Sequence, residues 1–139
     1  MSLLLDTHVW VWYVEGNEKR LTKKSVEFLK ETEQARELFV SDISFWEVAN
    51  KTSGRKLLSI DAMLWLERAN TAPGIVYIPI DRAALIQSTR LAATPPRDPA
   101  DRILIATAQL NGAKLVTADR EIILYAQESD ALSVYDARK

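Results

Sequence analysis

A chain of 139 residues, 47% hydrophobic and 27% charged, is long enough to bury one core without staples and has the ordinary composition of a globular protein. It holds no cysteine and one histidine, His8, which excludes disulfides, thiolate zinc sites, thiol nucleophiles and RNA cleavage by paired imidazoles, and leaves any Ser-His-Asp triad to His8 alone. With 18 basic against 19 acidic side chains the net charge is −1, so any phosphate contact needs a local basic patch.

In chain order, short apolar or β-branched segments predict strands near residues 2–5, 38–41, 75–79, 113–117 and 132–135. Helix-period segments lie between them near 22–36, 43–53, 61–71, 81–91 and 99–111, with a shorter one over 119–127. Val9-Trp10-Val11-Trp12-Tyr13-Val14 is entirely β-branched and aromatic, so propensity alone predicts a strand there, continuing Leu5 after a break at Asp6-Thr7-His8. The helix from 99 is the best signalled. Asp98 suits the N-cap, Pro99 the first helical position and Asp101 the third. Asp98, Asp101, Ile105 and Ala108 then share one face, which is apolar beyond its first turn. Alternating strand and helix predicts one α/β domain over residues 1–139, with a parallel sheet between two layers of helices. No apolar run approaches membrane-spanning length, and the three leucines before Asp6 are too few for a signal peptide, so a cytoplasmic protein is expected.

Carboxylates interrupt this apolar pattern at telling places. Asp6 closes Leu3-Leu4-Leu5, Asp119 closes Leu115-Val116-Thr117-Ala118, Asp101 opens Ile103-Leu104-Ile105-Ala106, and Glu47 stands between Trp46 and Val48. Burying a lone carboxylate costs several kcal/mol or more, and a divalent cation with oxygen ligands is its natural partner. In an open parallel sheet, ligands bind beyond the carboxyl ends of the strands, so Asp6 and Asp119 share one crevice if their strands are neighbours. Each has a plain alternative. Asp6, Asp98 and Asp119 can simply cap helices, as Asp61 and Asp81 are expected to, and Ile75 to Asp81 repeats the strand-then-aspartate pattern. Ser44-x-x-Glu47 reads as a capping box, and Glu47 also stands one turn before Lys51. His8 reads as a helix-start or packing residue, and Trp10, Trp12, Trp46 and Trp65 as core, with Trp46 also placed to wall a site at Glu47. The basic residues Lys51, Arg55, Lys56, Arg97, Arg102 and Arg120 read as solvated surface, although several adjoin acidic positions where phosphate contacts would be needed.

Taken jointly, four segments resemble a known family: Leu3-Leu4-Leu5-Asp6-Thr7-His8, Ser41-Asp42-Ile43-Ser44-Phe45-Trp46-Glu47-Val48-Ala49, Arg97-Asp98-Pro99-Ala100-Asp101-Arg102 and Val116-Thr117-Ala118-Asp119. In this order and spacing they closely resemble the PIN-domain ribonucleases, specifically the toxins of VapBC-type toxin–antitoxin pairs, from residue 3 to about 125. The resemblance implies a three-layer α/β/α sandwich around a five-stranded parallel sheet, with residues 7–14 helical against their propensity. It places the family's acidic positions on Asp6, Glu47, Asp101 and Asp119, with Asp98 at a frequent further acidic position and Thr117 at the small hydroxyl before the last aspartate.

The function so implied is endoribonuclease activity dependent on Mg²⁺ or Mn²⁺, leaving a 5′-phosphate and a 3′-hydroxyl. Asp6, Asp98, Asp101 and Asp119 are the expected metal-binding residues, and Glu47 either a ligand or the group that orients the attacking water. Implied partners are an RNA substrate, a second copy of the chain, and a small VapB-like antitoxin whose tail enters the cleft through a basic residue. The same residues leave other classes open. A haloacid-dehalogenase-type phosphatase needs a second aspartate two residues after the first, where this chain has His8. A receiver-like module would accept a phosphoryl group on one aspartate of an Mg²⁺ pocket. An inactive RNA- or protein-binding relative would tolerate losses among the acidic positions, and none is lost here.

Overall fold

The computed structural model describes residues 1–51 and 61–139. Five parallel strands, β1 (Leu3–Leu5), β2 (Leu38–Ser41), β3 (Val76–Ile78), β4 (Lys114–Thr117) and β5 (Val134–Asp136), form one sheet in the order β3-β2-β1-β4-β5. Among the described residues seven helices flank it: α1 (Thr7–Glu15), α2 (Lys23–Gln34), α3 (Asp42–Lys51), α4 (Ala62–Thr71), α5 (Arg82–Ser88), α6 (Pro99–Leu110) and α7 (Arg120–Ser129). The expected α/β sandwich is therefore present, with elements starting or ending within a few residues of the sequence reading. The last residues of the helix expected over 43–53 lie outside the described residues.

Strand alternation divides the molecule into two cores. Leu3, Leu5, Leu38, Val40 and Val116 pack against residues of α1, α2, α3 and α4, including Trp10, Leu29, Val48 and Trp65. Leu4 and Leu115 face the other way, onto Leu104, Ile105 and Ala108 of α6 and Ile122 of α7. β1 is thus apolar on both faces because it is buried on both, and each of its leucines contributes about 1.5–3 kcal/mol. Helix α3 straddles the layers, with Ile43 in one core and Val48 in the other. That placement carries Glu47 over the end of the sheet.

The propensity expectation of a strand over Val9–Val14 is corrected: these residues lie within α1. The Asp6 carboxylate caps the helix by accepting the Thr7 N–H, and Gly16 ends it in the left-handed conformation at φ 66°, which glycine adopts without strain. Val9, Trp10 and Val11 are all fully buried, so packing on several sides outweighs the few tenths of a kcal/mol that β-branched and aromatic residues lose in a helix. Trp10 centres an aromatic group with Phe45, Trp65 and Tyr77, at ring-centroid distances of 5.0, 4.9 and 6.0 Å. No helix among the described residues is long and apolar enough to cross a membrane.

Candidate metal centre

The site grows from the switch point of the sheet, where β1 has β2 on one side and β4 on the other. The Asp6 N–H donates to the Val116 carbonyl at 2.9 Å, so the chain leaves β1 beside the end of β4. Both oxygens of the Asp6 carboxylate are engaged there. Oδ1 accepts the Thr7 N–H and Oδ2 the Thr117 hydroxyl, each at 2.7 Å. Thr117 Oγ1 in turn accepts the Asp119 N–H at 3.0 Å, and the half-buried Asp119 caps α7 through the Glu121 N–H at 2.8 Å. Asp6 and Asp119 therefore adjoin one crevice, linked through one threonine.

Two further segments close over it. Asp98 caps α6 by accepting the Ala100 N–H at 2.8 Å, with Pro99 first in the helix and Asp101 in its first turn, facing inward at 9% exposure. Glu47 comes from α3 and is 1% exposed. The expected capping box is corrected, because α3 begins at Asp42, the Ile43 N–H is taken by Ser41 Oγ, and Ser44 lies inside the helix. Glu47 Oε1 instead accepts the Thr7 hydroxyl at 2.6 Å, and that hydroxyl also lies 2.8 Å from Ser44 Oγ. The alternative partner, Lys51, has its side chain outside the described residues, as do Arg55 and Lys56 altogether.

Glu47, Asp98 and Asp101 each offer a carboxylate oxygen, and these atoms all lie within 4.8 Å of one another. That is about twice the 2.0–2.6 Å metal–oxygen distance of Mg²⁺, Mn²⁺ or Ca²⁺, so one hard cation fits among them with little adjustment. Asp6 and Asp119 lie outside this trio but act on it. Burial, followed by the charges of Asp6, Asp98, Glu47 and Asp119, pushes Asp101 up to about 8. Burial also raises Asp6, against the Thr117 hydrogen bond and the nearby His8. Five carboxylates thus share one field, which a divalent cation would relieve.

Other candidate residues fall elsewhere. Asp61 and Asp81 are exposed and accept N–H groups of the first turns of their helices, so their plain reading holds. Trp10 and Trp65 are core, but Trp46 is 57% exposed, which corrects the expectation that it is buried. It occupies the outer face of α3, one residue from an inward Glu47. His8 is half-buried in the first turn of α1, its ring 6.0 Å from Trp12. Arg97 and Arg120 are exposed, and Arg102 donates to the Pro96 carbonyl. From the sequence Ser44 reads only as a helix cap, and Thr7 only as part of the break after Leu5. The signal for Thr7 is a hydroxyl directly after the first aspartate, but its partner lies 40 residues away.

A family model for the PIN domain matches residues 3–128. This chain belongs to the PIN domain family. It is 32% identical over 122 residues to Ribonuclease VapC22 of Mycobacterium tuberculosis, covering 87% of this chain and 89% of that protein. Its fold resembles a chain of VapBC2 from Rickettsia felis, solved on a DNA fragment from their promoter, with a TM-score of 0.69 at 15% identity over 98% of both chains. A chain of FitAcB from Neisseria gonorrhoeae aligns with a TM-score of 0.58 at 19% identity over 97% of both. At such identities the two structures speak for the PIN fold alone.

Proposed function

We propose that this PIN-domain protein is a metal-dependent endoribonuclease and the toxin of a type II toxin–antitoxin pair. The observation that carries the reading is the convergence of Glu47, Asp98 and Asp101 within 4.8 Å, in a chain 32% identical to a protein named as a ribonuclease. Carboxylate oxygens are the donors that Mg²⁺ and Mn²⁺ favour, and a buried group of them has little other use. In this reading Glu47, Asp98 and Asp101 hold the ion, while Asp6 and Asp119 add negative charge at the same crevice. When bound, the cation supplies Lewis acidity toward water and toward the phosphoryl oxygens of the scissile bond.

The chain's own residues do the rest. Thr117 and the Thr7 N–H keep the Asp6 carboxylate turned to the crevice. The N-terminus of α6 lies at the site, where its dipole offsets part of the gathered negative charge. Glu47 is placed to ligate the ion or to orient the attacking water. A net charge of −1 gives little general attraction to RNA, so recognition rests on RNA shape and a few local contacts.

A small antitoxin is the proposed protein partner, in keeping with fold neighbours solved as VapBC2 and as a toxin–antitoxin complex from Klebsiella pneumoniae. A homodimer in the cytoplasm completes the reading. Exposed Leu85, Ile86 and Leu110 on the adjacent helices α5 and α6 offer it an apolar face. Inducing the wild type and Asp101→Asn separately in a bacterial host, then mapping new 5′-phosphate RNA ends, tests the activity. Discrete new ends with the wild type only are expected. Equal cleavage by both would reduce Asp101 to a helix-start residue, and no new ends from either folded protein would count against the ribonuclease.

A further inference from the structure

Thr7 opens α1 directly after Asp6, yet its side chain serves a different segment. At 2% exposure its hydroxyl donates to Glu47 Oε1 at 2.6 Å and lies 2.8 Å from Ser44 Oγ. A hydroxyl has one proton to give. Since the Thr7 proton goes to Glu47, the contact with Ser44 requires Ser44 to be the donor. The order Ser44 to Thr7 to Glu47 is therefore fixed by counting protons.

We propose that Thr7 is a positioning residue of the metal centre: its hydroxyl holds the Glu47 carboxylate toward Asp98 and Asp101, and Ser44 holds Thr7. The proposal rests on the metal-dependent reading above. Glutamate has three rotatable bonds, and α3 fixes only where its Cα sits. The Thr7 donor, reaching from the neighbouring element, favours the place where the Glu47 carboxylate has an oxygen within 4.8 Å of those of Asp98 and Asp101. A second threonine, Thr117 at the end of β4, has the parallel task, since it donates to Asp6. In each case an uncharged hydroxyl orients a buried carboxylate without itself adding a positive charge. Groups that orient metal ligands in this way typically change metal affinity or activity by about 10–100-fold when lost.

The test uses the full chain, in the wild type, Thr7→Val, Thr7→Ser and Ser44→Ala. Mn²⁺ binding is measured by calorimetry without RNA, and RNA cleavage is measured across an Mn²⁺ series. Thr7→Val keeps the shape and removes the donor. It is expected to weaken Mn²⁺ binding by about 10–100-fold and to raise the Mn²⁺ needed for half-maximal cleavage in step. Thr7→Ser restores the hydroxyl and should return both quantities to near the wild-type value. Ser44→Ala leaves the bond to Glu47 in place, so its effect should be clearly the smaller. Should Thr7→Val fail to fold, Thr7→Ala takes its place with the same expected direction. Wild-type Mn²⁺ binding in the folded donor-less variant would overturn the proposal, and so would a loss in Ser44→Ala equal to that in Thr7→Val. A wild type that neither binds Mn²⁺ nor cleaves RNA would instead overturn the metal-dependent reading, and this proposal with it.

Discussion

Asp6 and Asp81 each stand between a strand and a helix, and each caps that helix, Asp6 through the Thr7 N–H at 2.7 Å and Asp81 through the Ala83 N–H at 3.0 Å. Their surroundings differ. Asp6 leaves the central strand β1 and is 5% exposed, with Thr117 of β4 donating to its second oxygen. Asp81 follows β3 at the edge of the sheet and lies in solvent. The same local device becomes part of an acidic crevice in one place and stays a helix cap in the other. Position in the sheet order decides which, because only at the switch point do loops from both sides converge.

The largest expected effect is on cleavage. Asp6→Asn and Asp101→Asn keep shape but remove charge from the crevice, so RNA cleavage should fall more than about 100-fold, as several kcal/mol of charge stabilisation leave with it. Asp81→Asn should stay within about twofold of wild type. A comparable loss in Asp81→Asn would break the distinction between centre and edge.

Next comes the pH dependence of the metal-free protein. Folding raises Asp101 from 3.8 to about 8, so between those values the folded state holds a proton that the unfolded chain has lost. The stability this gives is complete below about pH 4 and is lost as pH rises toward 8, at up to about 1.4 kcal/mol per pH unit. Thermal melts from pH 5 to 8 should show a falling melting temperature in the wild type and in Asp81→Asn, and a flatter course in Asp101→Asn. Identical courses in all three would contradict the burial of Asp101 among neighbouring carboxylates. A smaller effect should follow from adding Mn²⁺ at about 100 times its dissociation constant, which stabilises a binding-competent fold by about 2.7 kcal/mol. Differential scanning fluorimetry should record that rise in Asp81→Asn and lose it in Asp101→Asn. Smallest is the loss of the edge cap itself, with Asp81→Ala costing about 1 kcal/mol in denaturant melts and nothing in Mn²⁺ binding.

Much of this was legible along the chain, and the reasons are local. The Asp98-Pro99 start of α6 and the inward face of Asp101 follow from capping preference and from steps of three and four residues. The buried strands announce themselves as short apolar runs. Besides Trp46, which lies exposed, two readings failed because their causes are tertiary. Residues 9–14 have strand propensity, yet α1 is packed on several sides, and burial there outweighs propensity. Glu47 has a helix-cap pattern around it, but α3 starts earlier than that pattern requires, and its carboxylate turns to Thr7. Membership of the acidic trio depends on which strands are neighbours and on how α3 crosses their ends. Neither is written in any window of the sequence.

The hydrogen bond between Thr117 and Asp6 spans 111 residues, and this has a bearing on timing. Central strand β1 is made first and waits for β4, so its pairing on that side cannot form until most of the chain exists. Contacts of such separation fold slowly, because the loop must close before the contacts repay it. A nascent or truncated chain ending before Lys114 lacks one wall of the crevice, and with it the hydroxyl that orients the first carboxylate. The acidic crevice is thus a late product of synthesis, completed only after Thr117 and Asp119 have left the ribosome.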